Sequence, residues 1–350
     1  MELQVELRPH IGIQSTPLGI VEVEHSQWMV FIDGKHIGYI GKQAFRFSLC
    51  YLFAFACLFS MIRLFPHEWS GKQHWLFIIT MSIIARLAFL DFPASSDTCR
   101  YIWEGYILNK GYNPFIHPPN SAILEPFIEG LRDIWQNVDH KDASGCYPPL
   151  SMLIFRLAAF ISPTRTFFNL VLLLFDLATV WILALLLRVR QLAPQRILIF
   201  ALNPLVLVYI AGESHLDSIQ NFFIWLCFYL LFRHKDRLGF IALGCAIMSK
   251  YFSVIFTPFV LNRKNWKNLM FLIGTGFLLY LPFWGTGSRF FTSLKPFGLV
   301  MHYNDSLTVY LRDWFGPNST LISVILLVIC FGLIFLLVHD PLKSCYLAVG

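Results

Sequence analysis

The chain has 350 residues, 56% of them hydrophobic and only 14% charged, with a net charge of +6. Soluble domains carry about 25% charged residues, so a water-soluble globule, a disordered chain and a coiled coil are all excluded. The basic residues sit in several short clusters rather than one stripe, which excludes a nucleic-acid binder.

Residues 1–43 are the least apolar stretch and are read as a separate polar segment. Alternation over Val21–Glu24 and Met29–Ile32, then Asp33-Gly34, then His36–Ile40, reads as a small β-hairpin-like element. No signal peptide is expected, because the first apolar run begins near Ala44.

Hydrophobic runs follow at 44–62, 74–90, 148–162, 167–187, 197–211, 219–232, 238–261, 269–284 and 319–338. A spanning helix needs about 20 apolar residues. Residues 44–350 are therefore expected to form an all-α, polytopic transmembrane helical bundle of about 8–10 membrane segments. Cys50, Cys57, Cys227, Cys245 and Cys330 fall inside these runs, and the eight cysteines follow no metal-binding spacing.

The basic clusters are Arg63 to Lys72, Arg188 to Arg196, Arg233 to Arg237, Arg263 to Lys267, and the end after His339. If all are cytoplasmic, then 91–147, 212–218 and 285–318 share the opposite face. The hinge at Ser249-Lys250-Tyr251 joins them if 238–261 is a re-entrant pair. This requires 148–166 not to change sides, which suits a short run carrying Arg156 and opening on Pro148-Pro149. Two early spans would also place the N-terminus outside; a cytosolic 1–43 is the other reading.

The polar groups worth naming fall on that outer face. The richest stretch contains Asp91, Asp97, Arg100, Tyr101, Trp103 and Glu104, followed by Asn113-Pro114-Phe115. A helix over 97–108, capped at Ser95-Ser96, puts Asp97, Arg100, Tyr101 and Glu104 on one face. Carboxylates beside an arginine at a span's end suit proton transfer and phosphate binding. A helix cap with a surface ion pair is the structural alternative. Cys146-Tyr147-Pro148-Pro149 re-enters the membrane, and a Cys99–Cys146 disulfide would clamp the Asp97 helix to the Tyr147 turn, although spacing does not supply its geometry. Asn203-Pro204 precedes Glu213-Ser-His215-Leu-Asp217. Lys250 stands between two apolar runs and needs an anionic partner, either Asp217 or a lipid phosphate, unless it snorkels. Asn304 lies in the loop before the last long run.

Taken in order, these blocks resemble the GT-C type polytopic membrane glycosyltransferases, in particular bacterial mannosyltransferase-like proteins related to the glycosylphosphatidylinositol mannosyltransferases. The blocks are Ser96-Asp97, Arg100-Tyr101-Ile-Trp103-Glu104-Gly105, Gly111-Tyr-Asn113-Pro114-Phe115, Tyr147-Pro148-Pro149, Asn203-Pro204, Glu213, His215-Leu-Asp217, and Lys250 with Pro258. They cover roughly 75 to 310.

The resemblance implies an inverting hexosyltransferase, of mannose in particular, in the bacterial cytoplasmic membrane with its site facing outward. Its partners would be a polyprenyl-phosphate sugar donor, a lipid or glycan acceptor, and membrane lipids. Asp97 matches the family's base, with Glu104 and Asp91 as further catalytic candidates. Arg86, Arg100 and Lys250 would meet the departing phosphate. Tyr101, Trp103, Asn113, Tyr147, Glu213, His215, Asp217 and Asn304 would bind substrate. No metal cage is apparent, so any divalent cation would be shared with the ligand phosphate. The sequence departs from the pattern at Asp97-Thr98, where two adjacent acids are usual, and at Glu104, where Asp is usual. It also lacks a late His-Pro-Trp-Tyr-like segment. A transporter or flippase, and a truncated inactive member, are the competing readings.

Overall fold

The structure is a computed structural model and describes residues 5–16, 19–32, 35–66, 71–90, 95–293 and 307–338. Its contacts divide into two compact units, Met1–Glu68 and Trp69–Gly350. In the first unit, the backbone of Val5–Thr16, Gly19–Ile32 and Lys35–Gly41 forms three antiparallel strands in sequence order. The Asp33-Gly34 turn of the expected hairpin lies outside the described residues, and no functional reading rests on this segment. Helix α1 (Lys42–Arg63) follows and is apolar along most of its length.

From Lys42 onward every described element is helical. In the second unit the longer helices are α2 (Gly71–Leu87), α3 (Ser96–Asn109), α4 (Pro149–Ile161), α5 (Arg165–Val189), α6 (Asp217–Phe232), α7 (Asp236–Ser249), α8 (Leu269–Tyr280) and α9 (Ser319–Leu337). Among the described residues, four segments are long and apolar enough to cross a membrane: Phe45–Arg63, Arg165–Val189, Trp266–Phe291 and Ser319–Leu337. The pair Pro194–Ala201 and Pro204–Gly212, bent by 42°, makes a fifth as a broken span. The bend follows from Asn203-Pro204. Proline has no N–H to continue a helix, and the Asn203 side chain accepts from Leu205 N to start the next one. These segments make the chain an integral multi-pass membrane protein.

Fewer full spans are present than the apolar runs suggested. The run 148–162 becomes α4, whose 13 residues reach about 20 Å, short of a hydrocarbon core of about 30 Å. The run 238–261 breaks at Lys250, an extended residue between α7 and the helical turns Tyr251–Val260.

Helices α3 and α4 lie side by side and parallel. Tyr147, just before α4, meets Asp97 at the start of α3, while Asn109 at the end of α3 donates to Arg156 O in α4. Gly105 permits this approach: a Cβ there would come within 2.2 Å of Phe155 O. Arg165, at the start of α5, pairs with Asp133 of the long loop. Helix α4 and the residues just after it therefore pack against the 96–147 region.

Among the described residues of the second unit, the basic clusters at 188–196 and 233–237 lie against neighbouring helix ends. Arg188 lies over the Trp75 ring at the start of α2, Arg190 over Phe232, and Arg237 over Phe271. These charge-rich loops therefore gather around the start of α2, the end of α5, the α6–α7 turn and the start of α8. The polar groups described next stand at the other ends of α5, α6 and α7.

Candidate active site

Helix α3 begins with Ser95 as its extended cap residue, but the Ser95 hydroxyl does not cap the helix. It donates to Glu213 O at 2.9 Å, and Ser95 N donates to the same oxygen at 3.2 Å. Thr98 Oγ1 lies 3.2 Å from Glu213 O and 3.3 Å from Ser214 O. Thr98, standing where the family pattern has a second acid, thus pins the start of α3 to the 213–217 loop. Ser214 holds that loop with a φ of +58°, a conformation uncommon outside glycine.

This clamp brings Asp97 beside His215. Asp97 Oδ2 lies 3.6 Å from His215 Nδ1, and His215 Nε2 lies 3.1 Å from Glu213 Oε2. The imidazole stacks on Tyr209, with centroids 4.0 Å apart and an interplanar angle of 17°. Tyr209 sits in a π-helical turn, Leu207–Gly212, a geometry frequent at functional sites. On its other side the Tyr147 hydroxyl donates to Asp97 Oδ1 at 3.3 Å. Asp97 remains about half exposed, at 46%.

Tyr101 lies one turn behind Asp97 and is buried. Its ring stacks on Phe155 at 4.5 Å and meets Tyr147 edge-on at 5.0 Å. Burial, together with the negative charges of Asp97 and Asp217, pushes its phenol well above the ordinary value. One hydroxyl thus feels both carboxylates. Asp217, in the first turn of α6, accepts from Lys250 Nζ at 2.7 Å. The structure therefore gathers Asp97, Tyr101, Tyr147, Glu213, His215, Asp217 and Lys250 from four separate segments.

Other expected site residues are placed differently. Arg100 is buried and fully engaged. Its Nε donates to Glu104 Oε1 at 3.0 Å, and its two terminal nitrogens meet the carbonyls of Asp139, His140, Ala143 and Ser144. A guanidinium with every donor taken has no face left for a phosphate; Arg100 holds the 139–144 loop instead. Glu104 is its counter-ion. Burial pushes the Glu104 carboxyl up to about 7, against the opposing pull of Arg100, and Asp97 adds to the rise. Its Oε2 has no hydrogen-bond partner.

Arg86 is also removed from the cluster. Buried at the end of α2, it pairs with Asp176 of α5 at 2.7 Å and donates to Ala201 O at 2.7 Å. Both partners are withdrawn from solvent, so the expected contact with a lipid phosphate does not fit. Trp103 is buried to 1% in the same core as Ile107, Leu124 and Phe168 and offers no surface to a sugar. Asn113 accepts from Phe115 N and donates to Thr286 Oγ1, tying its loop to the segment after α8. Cys99 and Cys146 are free thiols, not a disulfide. Asp91 and Asn304 lie outside the described residues.

Tyr209 and Asp176 were not anticipated, and Ser95, expected as a helix cap, holds the 213–217 loop instead. Tyr209 sits in the apolar run 197–211, six residues before His215, and hydropathy alone gives no sign of a role.

The arrangement supplies a half-exposed carboxylate flanked by a tyrosine and a histidine, with one ammonium nearby. That suits proton removal from a hydroxyl next to a departing anion. Comparison with known proteins gives a match over residues 13–263 to the family described as alpha-(1->6)-mannopyranosyltransferase, N-terminal domain. The match includes every described residue of this cluster. No curated protein and no solved structure matches. The chain belongs to the alpha-(1->6)-mannopyranosyltransferase family and is a glycosyltransferase.

Proposed function

We propose that the protein transfers mannose from a polyprenyl-phosphate donor to a hydroxyl of a lipid or glycan acceptor, on the extracytoplasmic face and with inversion. The observation that carries this reading is that the 213–217 loop sets His215 3.6 Å from Asp97 and Asp217 2.7 Å from the Lys250 ammonium. A base and a cation thus border one small region.

In this scheme Asp97 takes the proton of the acceptor hydroxyl as that oxygen attacks the anomeric carbon. The bond from that carbon to the donor phosphate breaks, and the polyprenyl phosphate leaves with the bonding electrons. Lys250 meets the charge that builds on the leaving oxygen. Asp97 ends protonated and returns its proton to water. An alpha product formed with inversion requires a beta-linked donor. Tyr147 and His215 orient the carboxylate, and Glu213 orients His215 through its other ring nitrogen. The extracytoplasmic placement is supported by the gathering of the 188–196 and 233–237 clusters at the opposite end. The shorter apolar helices α4, α6 and 251–260 would complete the membrane domain as re-entrant or obliquely packed segments.

The test is transfer of labelled mannose from a synthetic beta-linked polyprenyl-phosphate mannose by the purified chain in lipid nanodiscs. Product formation in wild type and its loss in Asp97→Asn are expected. Full turnover in Asp97→Asn rules out this mechanism.

A further inference from the structure

A concave site lies at the 139–144 loop, which Arg100 ties to α3. The 139–144 loop, with Phe115 and Ile116, forms one wall and Arg289, Thr292 and Ser293 the other, enclosing a cavity of about 570 Å³. That volume is within the range of small-molecule sites, roughly 300–1,000 Å³. The two walls are joined by the Ser144 and Ser293 hydroxyls, 2.7 Å apart.

The cavity owes its shape to Arg100. The carbonyls of Asp139, His140, Ala143 and Ser144 are turned onto the buried guanidinium, and His140, Asp142, Ala143 and Ser144 line the cavity. His140 holds a φ of +48°, which shows how tightly the loop is wound. The second tie, from Asn113 to Thr286, holds the facing segment in place.

The chemistry of the lining selects a ligand class. Asp142 and Arg289 have opposite charge, so the cavity has no net preference for an anion. Hydroxyls at Ser144, Thr292 and Ser293 offer neutral donors and acceptors. Ile116 and Pro118, both partly exposed, provide apolar surface. Vicinal hydroxyls donating to a carboxylate and accepting from a guanidinium, above a ring face resting on carbon, describe a neutral carbohydrate. One wall is the 139–144 loop and the other is the end of the apolar Trp266–Phe291 segment, with Thr292 and Ser293 beyond it. Ser144 is three residues from Tyr147, so the cavity lies within about 10 Å of the Tyr147 backbone. Tyr147 in turn touches Asp97.

We infer that this cavity binds the glycan acceptor, holding the sugar units behind the one whose hydroxyl reaches Asp97. The inference rests on the mannosyl-transfer reading above for its acceptor. Binding and transfer are measured separately, so that the two can fail independently.

The experiment uses the full chain in nanodiscs with alpha-1,6-linked mannotetraose as probe. The variants are Arg289→Ala and Asp142→Ala, both at exposed positions, and Thr292→Trp, which fills the cavity from an exposed site. Calorimetry is expected to show binding to wild type and at least tenfold weaker binding to each variant. In the transfer assay the acceptor KM is expected to rise at least tenfold while the donor KM stays unchanged. Absence of binding to wild type, or equal binding by all three variants, overturns the inference. A rise in donor KM instead assigns the cavity to the donor and also overturns it. Intact, variant-sensitive binding without any transfer rejects the catalytic reading and leaves the carbohydrate site standing.

Discussion

Lys250 Nζ donates to Asp217 Oδ1 across 2.7 Å, joining the extended residue after α7 to the first turn of α6. Neither group is sealed: Lys250 is 40% exposed and Asp217 23%. A half-open pair of this kind contributes little to stability, about 1 kcal/mol or less after solvent screening. It does hold the ammonium in one place. If the ammonium serves the leaving phosphate, Lys250→Met should cut turnover by about 100-fold, in the range seen when one such stabilising group is lost. Lys250→Arg should recover part of it, and the melting temperature should barely move. Wild-type turnover in Lys250→Met would remove Lys250 from the mechanism.

Asp97→Asn tests the base directly. The substitution keeps the shape and removes the proton acceptor, and the expected loss is about 10²- to 10⁴-fold in turnover. The side chain is about half exposed, so folding should survive, as an unchanged melting curve would show. Tyr147→Phe removes one donor to Asp97 and should give a smaller loss. A loss as large as that of Asp97→Asn would instead make the tyrosine a principal catalytic group.

Glu104 predicts a pH effect on stability. Its folded value is raised to about 7 from an ordinary 4.5. A carboxyl raised on folding favours the folded state when protonated. The stabilisation is therefore complete below about 4.5 and lost as pH rises through about 7. Glu104→Gln mimics the protonated acid at every pH. The difference in melting temperature between wild type and Glu104→Gln should be smallest near pH 5 and should move in favour of the variant by pH 8. A constant difference across that range would show that Glu104 does not titrate there.

Arg100→Lys should release the 139–144 loop. Lysine has no planar fork to reach four carbonyls and a carboxylate together. With Glu104 left buried and poorly paired, the cost is about 3 kcal/mol or more. Limited proteolysis within 139–144 should become faster in the variant than in wild type. Unchanged protection would mean that the loop is held by other contacts.

Much of this site was legible from residue order. His215, Asp217 and Lys250 drew notice because ionisable groups beside apolar runs need partners, and Asp217 was one of two partners named for Lys250. The arginines misled for a physical reason. A charge in a sequence shows that a counter-charge or an acceptor is required, not which one. The acceptors for Arg100 are backbone carbonyls about 40 residues away, and carbonyls occur at every position. Trp103 is expected at the substrate on the resemblance alone. Nine of the 14 residues of α3 are buried, because α4 and the long loop close over it. A charged residue inside an apolar run is legible as a break: the run 238–261 leaves helical geometry at Lys250, within the hinge read at Ser249-Lys250-Tyr251.

The buried pair of Arg86 and Asp176 gives the sharpest separation between a structural and a ligand-binding arginine. The side chains are 1% and 0% exposed, in contact at 2.7 Å between α2 and α5. Removing one partner strands a charge in a site that water does not reach, at a cost of about 3–5 kcal/mol. Arg86→Leu and Asp176→Leu should each lower the yield of folded protein sharply. The double variant removes both charges and should regain most of the lost stability, because apolar replacement of a buried pair is often neutral or better. A structural role then predicts mannosyl transfer close to wild type in the double variant. If the double variant folds and turnover is nonetheless lost, Arg86 contributes to the reaction itself, and the assignment of the donor phosphate to Lys250 would have to be shared with it.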